Sequence, residues 1–496
     1  MSGITDRSTN VPIPKVPTGV HGLDEILSGG LPQGGATLIL GGPGTGKTIL
    51  GLDLLFQGIL AGEPGIFVTF EESAAAIRRN ALALGWDLAA AESDGMLFLM
   101  QADVPVDLVI SGEFSIDGLL AILDGQAKAM GAQRLVIDAI DGLLRLFEDN
   151  LRRQNQLYIL HSWLRRQQVT AVLTAKHTKH TADSSETLDY LVDCILRLDQ
   201  RVVNQVTTRR LRVLKYRGSD FLSNEHPYII ASTGVRLMPV SSAQLRQQPL
   251  GTPIPTGNLQ LDRLLQGGIR RASSVLIAGS SGTGKTTLAC TYTVAACQRG
   301  ERVLYISFEE SQAALVNTML SPGVDLHPAL DAKQLQILAT MPESLGVEEH
   351  LMRILDALDQ FQPQHLVLEA ISACWRMGSQ HAAFDFLVRL IDACKERGIT
   401  SLYTNQIRKS RSGYTSGVEE IGGIGLSSLM DTLLLLEQQW WQQAYTRRLL
   451  IIKARGSGHS HHFHSFTISD DGITIDETPH GVVPDDLRRE LGERMP

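Results

Sequence analysis

Two short glycine-rich stretches, GGPGTGKT at 41–48 and GSSGTGKT at 279–286, each follow an apolar run and lead into a helix-forming one. The pattern G-x-x-x-x-G-K-T in that setting suits phosphate recognition. Glycines let successive backbone N–H groups curl around an oxyanion, and the helix that follows offers its positive N-terminal end. Gly42, Gly44, Thr45 and Gly46 in the first stretch, and Ser280, Gly282, Thr283 and Gly284 in the second, are expected to cradle a nucleotide. Lys47 and Lys285 would reach its β and γ phosphates, and the hydroxyls of Thr48 and Thr286 would ligate Mg²⁺.

Carboxylates stand where such a site needs them. About ninety residues after the first loop, RLVIDAI (134–140) supplies Asp138 at the end of an apolar strand, a position that faces the metal through water. The second copy reads HLVLEAI, so Glu369 stands there, and its extra methylene is expected to shift the metal or its waters. FVTFEES (67–73) and YISFEES (305–311) end in the pairs Glu71/Glu72 and Glu309/Glu310. Strand ends of a parallel sheet converge on the ligand crevice, so these pairs can polarise an attacking water or hydroxyl. The alternative is a helix N-cap region, with the carboxylates near the helix dipole and Ser73 or Ser311 capping. KYRG (215–218) and KARG (453–456) offer Lys215, Arg217, Lys453 and Arg455 far along the chain from each loop. They could complete the site of a neighbouring subunit as an arginine finger does, or form a solvated charged hairpin.

The elements that must position these residues come from an internal duplication. The loop lysines are 285 − 47 = 238 apart, and the same shift relates the glutamate pairs, KYRG to KARG, and Asp193 to Asp431. A register held over some two hundred residues means two copies of one domain. The boundaries expected are a first domain over 1–240, a linker over 241–255, a second domain over 256–480 and a tail over 481–496. Within each copy near-continuous Val/Ile/Leu runs such as ATLIL, GIFVTF and RLVID alternate with amphipathic segments, which predicts an α/β fold with a mostly parallel sheet covered on both faces. Residues 152–168 read as a crossover helix through Leu157, Leu160 and Leu164, and the last strands of each copy alternate enough to be antiparallel edge additions.

Composition narrows the function. With 496 residues, 43% hydrophobic and 20% charged, the chain can bury more than one core. Its net charge of −8 gives no general field for nucleic acid or anionic lipid. No signal-like apolar segment or run of the roughly 18 apolar residues needed to span a bilayer is present, so a cytoplasmic protein without membrane association is expected. Five cysteines lack C-x-x-C spacing and read as reduced, buried thiols. The four histidines of GSGHSHHFHSF (456–466) would fall on both faces of a strand and read as a polar hairpin, while IRKSRSGY (407–414) is the best local candidate for DNA contact in an acidic chain.

PTG…LD…GG, the glycine-rich loop, FEES, the strand carboxylate and K-x-R-G, all doubled, resemble the KaiC circadian-clock ATPases within the RecA superfamily, from about residue 12 to 475. The resemblance implies two tandem RecA-like domains and a homo-oligomer of six chains. ATP with Mg²⁺ would lie at subunit interfaces, Lys215/Arg217 and Lys453/Arg455 would act on the adjacent subunit's ATP, and a KaiB-like protein would be a partner. It also implies serine/threonine autokinase activity, with acceptors at Ser427 and Ser428 in GIGLSSLMDTLLLL (423–436); the first copy has Asp189 and Tyr190 there. Read locally, Ser-Ser before a strand is equally a turn or cap. The short tail after ISDDG argues against an activator of the KaiA type. Two other functions stay open at this point: a RecA-type DNA-stimulated ATPase, and a nucleotide-gated scaffold with negligible turnover.

Overall fold

The computed structural model describes residues 13–102, 116–147, 149–176, 188–203, 206–239, 247–407, 426–441 and 444–479. The basic stretch 408–414 and the tail 481–496 lie outside them. The chain divides into two compact units, residues 1–202 with 207–243, and 244–496 with 203–206. Each unit is built on one nine-stranded sheet.

In the first unit the strands run, edge to edge, Gly234–Leu237, His226–Ala231, Val206–Tyr216, Cys194–Val203, Ala36–Gly41, Thr170–Lys176, Arg134–Asp138, Gly65–Thr69 and Leu97–Gln101. The six from Cys194–Val203 onward are parallel. The second unit repeats the order with Gly472–Ile475, His464–Ser469, Ala444–Ala454, Thr432–Trp441, Ser274–Gly279, Thr400–Gln406, His365–Glu369, Val303–Ser307 and Leu335–Ala339. Here too the last six are parallel and the first three antiparallel. This is the RecA-like α/β plan expected, antiparallel edge included.

The central strands Ala36–Gly41, Arg134–Asp138, Ser274–Gly279 and His365–Glu369 are buried at every residue. Helices cover both faces, which is why the strands read as unbroken apolar runs. The crossover helix forms over Asn150–Gln167 and buries Leu157, Leu160, Trp163 and Leu164. Its first turn is capped by Asp149, and Gln168 stops it in a left-handed conformation at φ 54°.

The second unit begins before residue 256. Pro253–Ile254 pairs with Ile269–Arg270, and the Gln248 N–H donates to the Lys395 carbonyl at 3.1 Å. His459–His462 form a loop, Phe463 is buried under the Arg448 guanidinium at 3.8 Å, and His464 is a buried strand residue bonded to Ser460 Oγ and the Asp476 carbonyl. No group of three metal-ligating side chains occurs among the described residues. All five cysteines are buried and free, and no described helix is long and apolar enough to cross a membrane.

Candidate active sites

Each glycine-rich loop joins the central strand of its sheet to the helix that crosses behind it, Lys47–Leu60 or Lys285–Gln298. The left-handed backbone before each helix favours glycine, and an added side chain would also have to displace the tip of an isoleucine. Gly46 and Gly284 have φ of 85° and 98°, and a Cβ on either would sit 2.6 Å from Ile230 or Ile468 Cδ1. Neither helix has a side-chain cap, so its first-turn N–H groups face the loop cavity as an anion site does. The loops brace themselves: Thr45 and Thr283 hydroxyls donate to the Gly42 and Ser280 carbonyls at 2.9 and 2.8 Å. Lys47 Nζ donates to the Gly42 carbonyl at 3.0 Å, and Lys285 Nζ to the Gly279 and Ser280 carbonyls at 2.9 Å each. Burial lowers both lysine pKa values, and nearby carboxylates resist it, led by Asp138 in the first site and Glu309 in the second.

The strand carboxylates meet the loop hydroxyls in both units. Asp138 Oδ2 accepts from Thr48 Oγ1 at 2.8 Å and Oδ1 from Thr174 Oγ1 at 2.5 Å. Glu369 Oε1 accepts from Thr286 Oγ1, and its other oxygen from the buried Tyr305 hydroxyl. Burial raises the pKa of both acids. The extra methylene of Glu369 therefore does not part it from Thr286. What changes is the second partner: Tyr305 stands at the position of Phe67, while the Thr404 hydroxyl, beside Glu369 as Thr174 is beside Asp138, is buried with no hydrogen-bond partner.

The glutamate pairs occupy a tight turn at the strand end. The Thr69 hydroxyl both donates to the Glu72 carbonyl and accepts from its N–H, and Ser307 does the same for Glu310. Ser73 and Ser311 cap the following helices through the N–H groups of Ala76 and Ala314 at 3.2 Å each. The glutamates precede those caps instead of sitting in the first turn, so the capping contacts are made by the serines. Glu71 pairs with Lys176 Nζ at 2.6 Å, with Arg145 at 3.9 Å, and Glu72 accepts from Asn80 Nδ2 at 3.2 Å.

Lys-x-Arg lies at the other end of each sheet. Lys453 and Ala454 pair with Leu433 and Thr432, and Thr432 pairs with Val275 near the start of the loop strand. In the first unit Arg217 N–H donates to Asp193 O, and Asp193 N–H to Ala36 O at the start of Ala36–Gly41. A strand of this length separates the cations from their own loop by about 17 Å. Lys453 Nζ donates to the Ser427 and Met430 carbonyls at 3.2 and 2.7 Å, and Arg455 to the Ser428 carbonyl at 3.1 Å. Lys215 and Arg217 make the equivalent bonds to the carbonyls of Asp189, Val192 and Tyr190 at 2.5, 2.7 and 2.5 Å. Ser427 and Ser428 thus occupy the places of Asp189 and Tyr190, on the short helix Leu426–Leu429.

Motif reading passed over several residues at these sites. Tyr228 donates to the Thr45 carbonyl at 2.5 Å and Gln438 to the Gly282 carbonyl at 2.6 Å, so the antiparallel edge and the strand beside it steady the loops. Asp193 and Asp431 anchor the central strand through the Ala36 and Ser274 N–H groups and lie 3.9 and 3.5 Å from Arg217 and Arg455. The constant 238 shift of that aspartate was its signal in the sequence.

Fold and loops together define a tandem RecA-like ATPase. The profile of the family described as "ATPase: KaiC" matches residues 16–242 and again 254–480. The chain is 37% identical to the Circadian clock protein KaiC2 of a Synechocystis species over 96% of its length and 83% of the relative. It is 32% identical to the Circadian clock oscillator protein KaiC of Parathermosynechococcus lividus, covering 95% and 86%, and 30% identical to that of Synechococcus elongatus, covering 96% and 92%. The chain belongs to the KaiC family.

Proposed function

We propose that this protein is a KaiC-like ATPase and serine autokinase that signals by its phosphorylation state, working as a ring of like chains, six by family resemblance, with ATP between subunits. The observation that carries the reading is an equivalence with one difference. Both units present the same lysine, hydroxyl, buried acid and glutamate pair, but the carbonyls gripped by the Lys-x-Arg cations belong to Asp189 and Tyr190 in one unit and to Ser427 and Ser428 in the other.

The hydroxyl and carboxylate oxygens of Thr48 with Asp138, and of Thr286 with Glu369, suit a hard divalent cation such as Mg²⁺. When bound, it would neutralise charge on the transferring phosphoryl group. The chain's own groups supply the rest. Lys47 and Lys285 exchange loop carbonyls for phosphate oxygens, and the glutamates take the proton of the attacking hydroxyl. In the autokinase step the new bond is from serine Oγ to Pγ, the bond to the β-phosphate oxygen breaks, and ADP leaves. Because the serines and the Lys-x-Arg cations stand at the sheet end away from their own loop, both would serve a neighbour's nucleotide.

Incubation of the purified protein with γ-labelled ATP tests this. Label should map to Ser427 or Ser428, vanish in Ser427→Ala/Ser428→Ala and fall by about 100-fold in Glu310→Gln, while phosphate release by the first unit persists. Label retained elsewhere in the serine double variant refutes the acceptor assignment, and a wild type that releases no phosphate refutes the enzyme.

A further inference from the structure

The two glutamate pairs sit in unlike electrostatic surroundings, although their turns and registers coincide. Lys176 ends the strand next to the loop strand, directly opposite Gly41, and Gln406 holds the same register opposite Gly279. In the first unit Lys176 Nζ lies 2.6 Å from Glu71, while its backbone N–H is fixed by Asp141 Oδ2 at 2.6 Å. Arg145 adds a second cation at 3.9 Å from Glu71. In the second unit the lysine and the aspartate are replaced and the arginine is re-paired. Ser372 replaces Asp141 and its hydroxyl is buried without a partner, and Arg376, in the place of Arg145, pairs with Glu343 at 3.0 Å. No ion pair or hydrogen bond to the Glu309 or Glu310 carboxylate occurs among the described residues.

We propose that Lys176 is a positioning residue that divides the labour of the first glutamate pair: it occupies Glu71, leaving Glu72 to polarise the attacking water, whereas Gln406 leaves Glu309 and Glu310 both available to a seryl hydroxyl. The inference rests on the ATPase reading above. A carboxylate whose oxygen is turned to an ammonium 2.6 Å away already has that oxygen occupied, so it is not placed to receive the attacking water. Among the described residues the Glu72 carboxylate meets only the neutral Asn80 amide. Deprotonation of the water by Glu72 accompanies formation of the O–Pγ bond and departure of ADP, and the proton stays on Glu72 until phosphate leaves.

The test uses the full chain carrying Lys285→Ala, so that turnover reports the first site. Glu72→Gln should lower phosphate release by about 100-fold and Glu71→Gln by less than about 10-fold. The diagnostic variant is Lys176→Gln in the Glu72→Gln background, which frees Glu71 and should recover about 10-fold of the lost rate with ATP affinity held within about 3-fold. A purely structural lysine gives no such rescue. In the otherwise wild-type chain, Gln406→Lys should lower serine labelling by about 10-fold, an arm that does not depend on any first-site variant folding. Equal losses in Glu71→Gln and Glu72→Gln, no rescue by Lys176→Gln, or undiminished labelling in Gln406→Lys each overturn the proposal. If the parent chain itself releases no phosphate, the ATPase reading fails instead, and the variants are not what decides it.

Discussion

Asp138 and Glu369 show how a single methylene is absorbed. The longer acid keeps its loop threonine and turns its second oxygen to Tyr305, leaving the neighbouring Thr404 hydroxyl without a partner; the shorter one takes Thr174. Each carboxylate is therefore matched to a different hydroxyl, and the match is a coupled one. Tyr305→Phe strips a donor from a buried acid and should cost about 1–3 kcal/mol. Glu369→Asp alone should cost a similar amount by stranding the Tyr305 hydroxyl. Combined, the two substitutions should cost less than their sum, because the shortened acid can take up Thr404. Denaturant unfolding of the second unit measures the cycle, and strict additivity would show that Tyr305 and Glu369 are independent.

At the scale of elements, the base of the second sheet carries a buried ionic cluster that the first sheet builds differently. His365, at the start of the strand that ends in Glu369, meets Glu301 Oε2 at 2.9 Å and the Tyr292 hydroxyl at 2.7 Å, with Arg271 and Arg299 also on Glu301. The first unit has Arg134 on Glu63 at 2.6 Å in the corresponding strand. Burial pushes the His365 pKa down to about 4, and its arginine and histidine hydrogen bonds, outweighing burial, hold Glu301 at about 2. Both depressed values act in one direction. The unfolded chain binds the proton first, so stability is full above the ordinary histidine range and declines as pH falls from about 6.5 to about 4, with Glu301 extending the loss toward about 2. The unfolding midpoint of the second unit should therefore drop between pH 7 and pH 5, and His365→Gln should flatten that drop. An unchanged pH slope in the variant would assign the titration to other groups. Capping belongs to this scale as well: Ser311→Ala removes the cap on Ala314 and should destabilise its helix by about 1 kcal/mol, read as faster amide exchange over Gln312–Leu320.

For the whole molecule, the decisive feature is that the loop and Lys-x-Arg of a unit occupy opposite ends of its one sheet, so a unit does not bring its own pair to a single nucleotide. Arg217→Ala chains keep an intact loop, and Lys47→Ala chains keep an intact cation pair. Each should be inactive at the first site when pure. On the proposed assembly, mixing the two variants after dissociation should regain phosphate release, up to about a quarter of the full rate for random mixing. Absence of any regain would place both groups on one chain's nucleotide. With a net charge of −8 per chain, the protein should also show no DNA-stimulated turnover at physiological salt, which a salt titration of ATPase rate checks.

The duplication, the loops and the strand carboxylates were legible because each depends on local chemistry: backbone freedom at glycine, alternation of burial, and a charge at a strand end. The same locality made the crossover helix of Asn150–Gln167 readable from its leucine spacing. Lys176, Tyr305 and Thr174 were not, because each acts through a partner 36 to 105 residues away, and no local pattern distinguishes them from ordinary strand residues. Residue types and spacings dictated which groups the two sites contain. Which carboxylate is held by a cation and which stands open was decided only when parallel strands brought Lys176 beside Glu71 and Gln406 to the same register in the other sheet, since electrostatics depends on distance in space and not along the chain.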